Sequence, residues 1–163
     1  ESEIILEARK TLVDTRKTLA RIHNTEIRPK GNEVCKVIEK ILNTLKQKPE
    51  KITALRQFLN YYLPTLNKVL TNYQHLESSG VLAKGDDTTA KVSGYLDDVM
   101  AAMNRQYTGL YEGDILDMSV EMEAMTIGLK RAGLIEENFT APDAASGGVI
   151  DAVYTEENIK ETK

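Results

Sequence analysis

The residues with the clearest chemical potential are carboxylates between positions 112 and 123. Asp117 and Glu121 are four residues apart, so both would lie on one face of a helix. Together with Asp114 they could offer oxygen ligands to Mg²⁺ or Ca²⁺. Carboxylates near the first turn of a helix also interact favourably with the helix dipole. Capping and solvation explain this stretch better than metal binding does, so we predict no metal and no cofactor.

Other catalytic patterns are incomplete. Cys35 is the only cysteine, and it lacks the glycine-rich loop and following arginine of a cysteine phosphatase, so we predict a small buried residue. His23 and His75 lie on different segments without the spacing of a metal-binding helix, and we expect both at the surface. No phosphate-binding loop, dinucleotide fingerprint or serine elbow occurs. The catalytic candidates are Asp114, Asp117, Glu121 and His75, without a recognisable constellation.

Composition indicates one modest helical domain. The chain has 163 residues, of which 41 % are apolar and 28 % charged, with no Trp and four Pro. We predict an all-α fold, an elongated antiparallel bundle of three to five helices with one helix kinked at a proline. The bundle should occupy residues 1–133. Residues 134–163 should form an irregular acidic tail, anchored on the bundle or on a neighbour through Val149–Tyr154.

Apolar spacing outlines the first two helices. A heptad seam predicts a helix over residues 3–27, and the turn signals in Arg28–Asn32 predict its end, with Asn32 capping the next helix. That second helix should reach Lys48 and stop at Pro49. The seam consists of Ile5, Ala8, Leu12, Thr15, Leu19 and Ile22, and the second helix carries Val34, Ile38, Ile41 and Leu45.

The third segment, residues 50–78, is the most apolar and should form the centre of the core. Pro64 interrupts it, which predicts either a kink near Tyr61 or a break at which Pro64 starts a new helix. Tyr61 and Tyr62 could offer a stacking platform. We expect instead that their rings are buried and their hydroxyl groups reach the rim.

Two more helices should follow, over residues 87–112 and from Gly113–Asp114 to Ala132, unless the second is a kinked continuation of the first. Asp86 or Asp87 could cap the fourth helix, and Gly133 should end the fifth. A methionine-rich stripe on the fifth helix indicates core packing or a pliable groove for a partner. Its residues are Ile115, Met118, Met122, Met125 and Leu129.

Charge is unevenly distributed although the net charge is only −4. Residues 1–56 carry 13 Lys/Arg against 8 Asp/Glu, whereas residues 134–163 carry 2 against 7. Solvated faces are the simple explanation, and a basic first helix facing lipid head groups or an acidic partner is the alternative. We expect Arg9, Arg16 and Arg21 to form its outward face. The low pI of about 5.3 and the lack of interleaved aromatic residues disfavour nucleic acid.

Two blocks of sequence resemble a known bacterial family. The block Phe58–Thr65, Phe-Leu-Asn-Tyr-Tyr-Leu-Pro-Thr, and the later block Leu116–Ser119 resemble the bromochloroindolyl phosphate hydrolysis protein family, also called XpaC-like. The resemblance extends over roughly residues 33–135. Further matching positions are Leu66, Val69, Leu70, Tyr73, Leu76, Glu121, Met122, Met125, Leu129, Gly133 and Leu134.

The resemblance implies a role related to the hydrolysis of an aryl phosphate. It also implies a link to toxic-anion (tellurite) resistance proteins, which members of the family often neighbour. It supplies no catalytic residues, so we expect a non-catalytic scaffold that binds a protein partner. That partner would be a toxic-anion resistance protein or a second copy of the chain. The interaction residues should be Tyr61, Tyr62 and Pro64 with the three arginines. The alternative is a phosphoesterase that uses Asp114, Asp117, Glu121 and His75.

The resemblance and the charge pattern also suggest a location. The chain begins at Glu1, without an initiating Met, and members of the family often carry an N-terminal membrane segment. Lys and Arg beside such a segment favour the cytoplasmic side. We therefore expect a domain in the bacterial cytoplasm that is anchored to the inner face of the membrane.

Overall fold

The computed structural model describes residues 2–83 and 86–140. Its regular elements are helical throughout these ranges, which confirms the predicted all-α fold. The α-helices are α1 (Glu3–Arg21), α2 (Ile27–Gln47), α3 (Leu63–Ser79), α4 (Asp87–Gly109) and α5 (Glu112–Arg131). Two 3₁₀ turns (Pro49–Lys51 and Thr53–Leu55) and a π-helix (Phe58–Tyr62) connect α2 to α3. The chain divides into two compact units, and the boundary between them in the sequence follows Leu110.

The first unit is a bundle of α1 to α4. Helix α1 packs on α2 and α3, and α2 also packs on α4. Arg16 contacts Glu39 and Arg9 contacts Asn43, so α1 and α2 run antiparallel. Helices α3 and α4 approach each other near the loop that joins them, where the hydroxyl groups of Tyr73 and Thr89 are 3.2 Å apart.

The heptad seam of α1 lies in the core as predicted. All of its six positions are buried, from Ile5 to Ile22. Thr15 is the polar member, and its hydroxyl donates to the carbonyl of Thr11 at 2.8 Å and lies 3.1 Å from Oδ1 of Asn67 on α3. A buried hydroxyl that keeps its hydrogen bonds avoids the cost of desolvation. Thr15 can therefore sit in the seam.

The turn between α1 and α2 comes earlier than the sequence predicted. Helix α1 ends at Arg21 and α2 begins at Ile27. Asn24, rather than Asn32, caps α2, since its Oδ1 accepts hydrogen bonds from the backbone N–H groups of Glu26 and Ile27, both at 2.9 Å. The prediction of a turn over Arg28–Asn32 was therefore wrong. Pro29 is tolerated in the first turn, where backbone N–H groups have no partner within the helix.

Gly31 is buried inside α2 and faces Leu19 of α1. A Cβ atom built at Gly31 would overlap the side chain of Leu19, which is itself fully buried. The missing side chain therefore has a packing role, and the glycine is not part of a turn. The two helices can approach each other this closely only because position 31 has no Cβ atom.

The chain between α2 and α3 resolves the alternatives at Pro64. Helix α2 ends before Pro49 as predicted, and the helical backbone then runs without a break from Arg56 through Pro64 to Ser79, so a distortion near Tyr61, and not a new start at Pro64, is what the structure has. The preceding turn is a π-helix in which the N–H of Leu63 donates to the carbonyl of Phe58, five residues earlier. A wider turn before Pro64 relieves the clash that a proline ring makes with the carbonyl four residues back.

Helix α4 starts as predicted. Asp86 caps it by accepting a hydrogen bond from the backbone N–H of Thr88. Ser93, Leu96 and Met103 are its buried residues. The preceding helix ends at Gly80, whose φ of 75° is the left-handed conformation that favours glycine.

The second unit contains α5, which ends before Gly133 at φ 73° as predicted. Glu112 and Asp114 lie in its first turn, where they complement the helix dipole. No residue of α5 is buried, so core packing, the first of the two alternatives for its methionine stripe, is wrong, and a groove for a partner stays a prediction. Met118 and Met125, for example, are 53 % and 67 % exposed.

Residues 141–163, including the predicted anchor Val149–Tyr154, lie outside the described residues, and the division into a domain at 1–133 and an acidic tail stays a prediction. Within residues 2–83 and 86–140, no helix combines the length and the hydropathy needed to cross a membrane.

We predict opposite effects for two glycine-to-alanine substitutions. Gly31→Ala should lower the free energy of unfolding by about 1 kcal/mol, because overpacking against Leu19 outweighs the better helix propensity of alanine. Gly94 lies at an exposed position of α4, with nothing within 4 Å of a new Cβ atom. Gly94→Ala should therefore raise the free energy of unfolding by about 0.5–1 kcal/mol. Urea denaturation followed by circular dichroism measures both. Equal stabilisation by the two changes would contradict the proposed packing role.

Candidate functional site

The first unit has an apolar groove of about 530 Å³ between the π-helix and α3 on one side and α4 on the other. Buried side chains of Ile38, Phe58, Leu66 and Met103 form its floor. Its size falls within the range of natural ligand and peptide sites. The helices α3 and α4 meet near Tyr73 and Thr89, and the groove lies further towards the other end of α4.

The rim of the groove is aromatic. Tyr61 and Tyr62 are 58 % and 46 % exposed, and their rings meet edge to face with centroids 5.4 Å apart. The prediction that these rings are buried was therefore wrong. Tyr95 lines the opposite wall on α4, and its phenol has a raised pKa because of burial and the nearby phenol of Tyr61. Exposed tyrosines beside an apolar floor are typical of binding surfaces.

Charge at the groove comes from a single side chain. Asp98 is the only charged residue among those that line it. Its neighbour Asp97 turns to α2 instead and forms an ion pair with Lys30 at 2.9 Å. Lys30 also donates a hydrogen bond to Ser93 at 2.7 Å, and Ser93 donates to Glu26 at 2.8 Å. These contacts fix α4 on α2 and leave the carboxylate of Asp98 for the groove.

The catalytic candidates lie on different elements. His75 is exposed on α3, in the first unit. Asp114, Asp117 and Glu121 are exposed on α5, in the second unit. Across residues 2–83 and 86–140, no three His, Cys, Asp or Glu side chains come together in a group that could hold a metal ion.

The three arginines of α1 do not form one outward face, which corrects that prediction. Arg9 donates a hydrogen bond to Oδ1 of Asn43 at 3.1 Å, and Arg16 forms an ion pair with Glu39 at 2.9 Å. Both therefore lie towards α2. Arg21, in the last turn of α1, is exposed. The hydrogen bond from Arg16 also lowers the pKa of the Glu39 carboxyl. A role of these arginines in binding stays a prediction.

Sequence reasoning missed α4 as a wall of the groove. Tyr95, Val99, Ala102 and Gln106 line it, at steps of four, three and four residues. A second seam beside Ser93, Leu96 and Met103 was readable in the sequence. The two seams are hard to separate in the sequence because neighbouring positions of a helix overlap in a hydrophobic pattern.

Cys35 is fully buried on α2, as predicted. Burial raises the pKa of its thiol to about 11, although the adjacent guanidinium of Arg16 acts in the opposite direction. A reactive cysteine needs an accessible, low-pKa thiolate. Cys35 therefore has the environment of a packing residue.

Comparison with known proteins identifies one family. A family model described as 5-bromo-4-chloroindolyl phosphate hydrolysis protein matches residues 2–125. This range includes the entire groove and well over half of the chain. Searches of curated proteins and of solved structures find no match.

We predict that the thiol of Cys35 makes stability depend on alkaline pH. Between about pH 9 and 11 the unfolded chain loses a thiol proton that the folded chain keeps, so the free energy of unfolding should fall as pH rises through this window. The fall should exceed that of Cys35→Ala by about 2 kcal/mol. Urea titrations at pH 8, 9, 10 and 11 measure it. Identical slopes for the two proteins, or rapid labelling of the native thiol at pH 8, would contradict this assignment.

Proposed function

The chain belongs to the 5-bromo-4-chloroindolyl phosphate hydrolysis protein family, and from this premise we propose that it acts as a non-catalytic helical interaction domain. The observation that carries the proposal is the groove with its exposed rim of Tyr61 and Tyr62. Folding buries most large apolar side chains of α1 to α4. Two neighbouring tyrosines left exposed beside an apolar floor are best explained by a partner that covers them.

The chemistry of phosphate ester hydrolysis supports the same choice. Enzymes that transfer a phosphoryl group surround its developing negative charge with Arg, Lys or metal ions. The residues that line the groove include no Lys, Arg or His, and Asp98 adds a negative charge. An aryl phosphate would therefore find a suitable surface for its ring but an unfavourable one for its phosphate.

The partner and the location are finer parts of the proposal. We propose that the domain works at the inner face of a bacterial membrane, with a protein of toxic-anion (tellurite) resistance as a partner. The resemblance of the Phe58–Thr65 block supports the partner class, and the excess of Lys and Arg in residues 1–56 supports an anionic surface nearby. Pro64 contributes because it closely follows the π turn that carries both tyrosines, where the wider turn accommodates its ring.

A phosphoesterase is the second candidate, because the family is described by hydrolysis of a phosphate ester. Its residues would be Asp114, Asp117 and Glu121 on α5, with His75 on α3. All four side chains are exposed, whereas catalytic groups usually lie in a concave site that excludes water.

We predict that the purified chain does not hydrolyse 5-bromo-4-chloroindolyl phosphate with Mg²⁺, Mn²⁺ or Zn²⁺. Release of the indolyl product, followed by absorbance, should equal the rate in buffer with the same ion. Asp117→Ala should leave that rate unchanged. Turnover above buffer that Asp117→Ala abolishes, and that the control Glu123→Ala on the same helix keeps, would establish the phosphoesterase instead.

We also predict that a photo-crosslinking residue placed at Tyr62 forms a discrete protein adduct in living bacterial host cells. The same residue placed at exposed Thr53, outside the groove, is the control. The adduct should decrease when Asp98→Lys is added, since the charge at the groove is then reversed. Identical adduct patterns at positions 62 and 53 would contradict an interaction through the groove.

A further inference from the structure

Helix α1 carries a second apolar seam on its outer side. Leu6 and Val13 are each 51 % exposed, and Ala20, seven residues further on, is exposed as well. A spacing of seven residues places the three side chains along one line of the helix. This line is separate from the buried seam of Ile5, Leu12 and Leu19. We refer to Leu6, Val13 and Ala20 as the outer seam.

Basic side chains border the outer seam. Lys10 and Lys17 are exposed and lie on one side of it, while Arg9 and Arg16 lie on the other side towards α2. The acidic residues of α1 lie further around the helix, at Glu3, Glu7 and Asp14. An apolar line with basic borders suits a surface that is apolar and negatively charged.

The groove offers such a surface on the same chain. Helix α4 contributes the line Tyr95, Val99, Ala102 and Gln106, with steps of three and four residues. This heptad spacing is the pattern by which a helix receives another helix. Its span from residue 95 to residue 106 is about 17 Å, which covers most of the roughly 21 Å from Leu6 to Ala20 in the outer seam.

The details of the groove suit a helix as its occupant. Ala102 and Val99 are small enough to let a second helix approach closely. Tyr61 and Tyr62 can close over the flank of that helix from the opposite wall. Asp98 has no ion-pair partner among the residues that the structure describes, and it lies beside this line, within reach of a lysine at its edge.

We propose that the groove binds the outer seam of α1 from a second copy of this chain, with Lys10 or Lys17 pairing with Asp98. This inference rests on the proposed function and concerns the same groove, which a second copy occupies when the purified chain has no other partner. A head-to-tail contact between the two surfaces builds open chains or rings of copies. A single helix in a single groove lies at the small end of interface sizes, which implies a dissociation constant of about 10 µM or weaker.

Two variants separate the two halves of this contact. The groove variant combines Asp98→Lys with Ala102→Arg, and the seam variant combines Leu6→Glu with Val13→Glu. All four positions are exposed, so the core of the bundle is unchanged, and circular dichroism verifies the fold of each variant. The matched control is Met118→Glu with Met125→Glu, which replaces two exposed apolar residues seven apart on α5.

The test is sedimentation equilibrium between about 10 and 300 µM, using the full chain. The mean mass of the unmodified chain and of the control should rise with concentration, and each variant alone should stay monomeric over this range. A mixture of the two variants should form a 1:1 dimer and nothing larger, since it contains one intact groove and one intact seam per pair. Asp98→Lys alone should weaken association about tenfold.

Three results would overturn the inference. They are a monomeric unmodified chain at 300 µM, self-association that neither variant weakens, and a mixture that does not form the dimer. Loss of association in the control would instead assign the contact between copies to α5. A monomeric chain that still crosslinks a different protein from position 62 would leave the proposed function intact and exclude the second copy as its partner.

Discussion

The contact between Leu19 and Gly31 determines the spacing of the bundle. Helix α3 packs on α1 and helix α4 packs on α2, so the distance between α1 and α2 also sets the distance between the two walls of the groove. Position 31 has no Cβ atom, and the side chain of Leu19 occupies that space. A wider separation there would move α3 and α4 apart together with their supports. The shape of a groove made from Tyr61 and Tyr95 therefore depends on a glycine that does not line it.

Much of this bundle could be predicted from local sequence pattern. The six-residue seam of α1, the stop at Pro49 and the caps at Asp86 and Gly133 all follow from periodicity and from turn chemistry. The start of α2 could not be predicted in this way. Pro29 and Gly31 are turn signals in isolation, but the first turn of a helix tolerates proline, and the need for glycine comes from a residue twelve positions earlier on another helix. Local propensity contains no information about that neighbour.

The candidate site was predicted less completely than the fold. Tyr61, Tyr62 and Pro64 were identified from an unusual block of sequence, but the side to which the rings point was wrong. Regular α-helical spacing groups Phe58 with Tyr62, whereas a π turn brings Phe58 and Leu63, five residues apart, to the core together. Whether Asp98 and Tyr95 line the groove depends on which of two adjacent seams of α4 packs against α2. The ion pair between Lys30 and Asp97 fixes this orientation of α4.

Glu77 on α3 forms hydrogen bonds with the connection between α1 and α2, which is far earlier in the sequence. Its carboxylate accepts hydrogen bonds from the backbone N–H groups of His23 and Asn24, at 2.7 and 3.0 Å. These groups belong to the turn between α1 and α2, more than fifty residues earlier in the chain. Both hydrogen bonds of this turn therefore require closure of a loop of more than fifty residues, and a chain that ends before residue 77 leaves the two N–H groups to water.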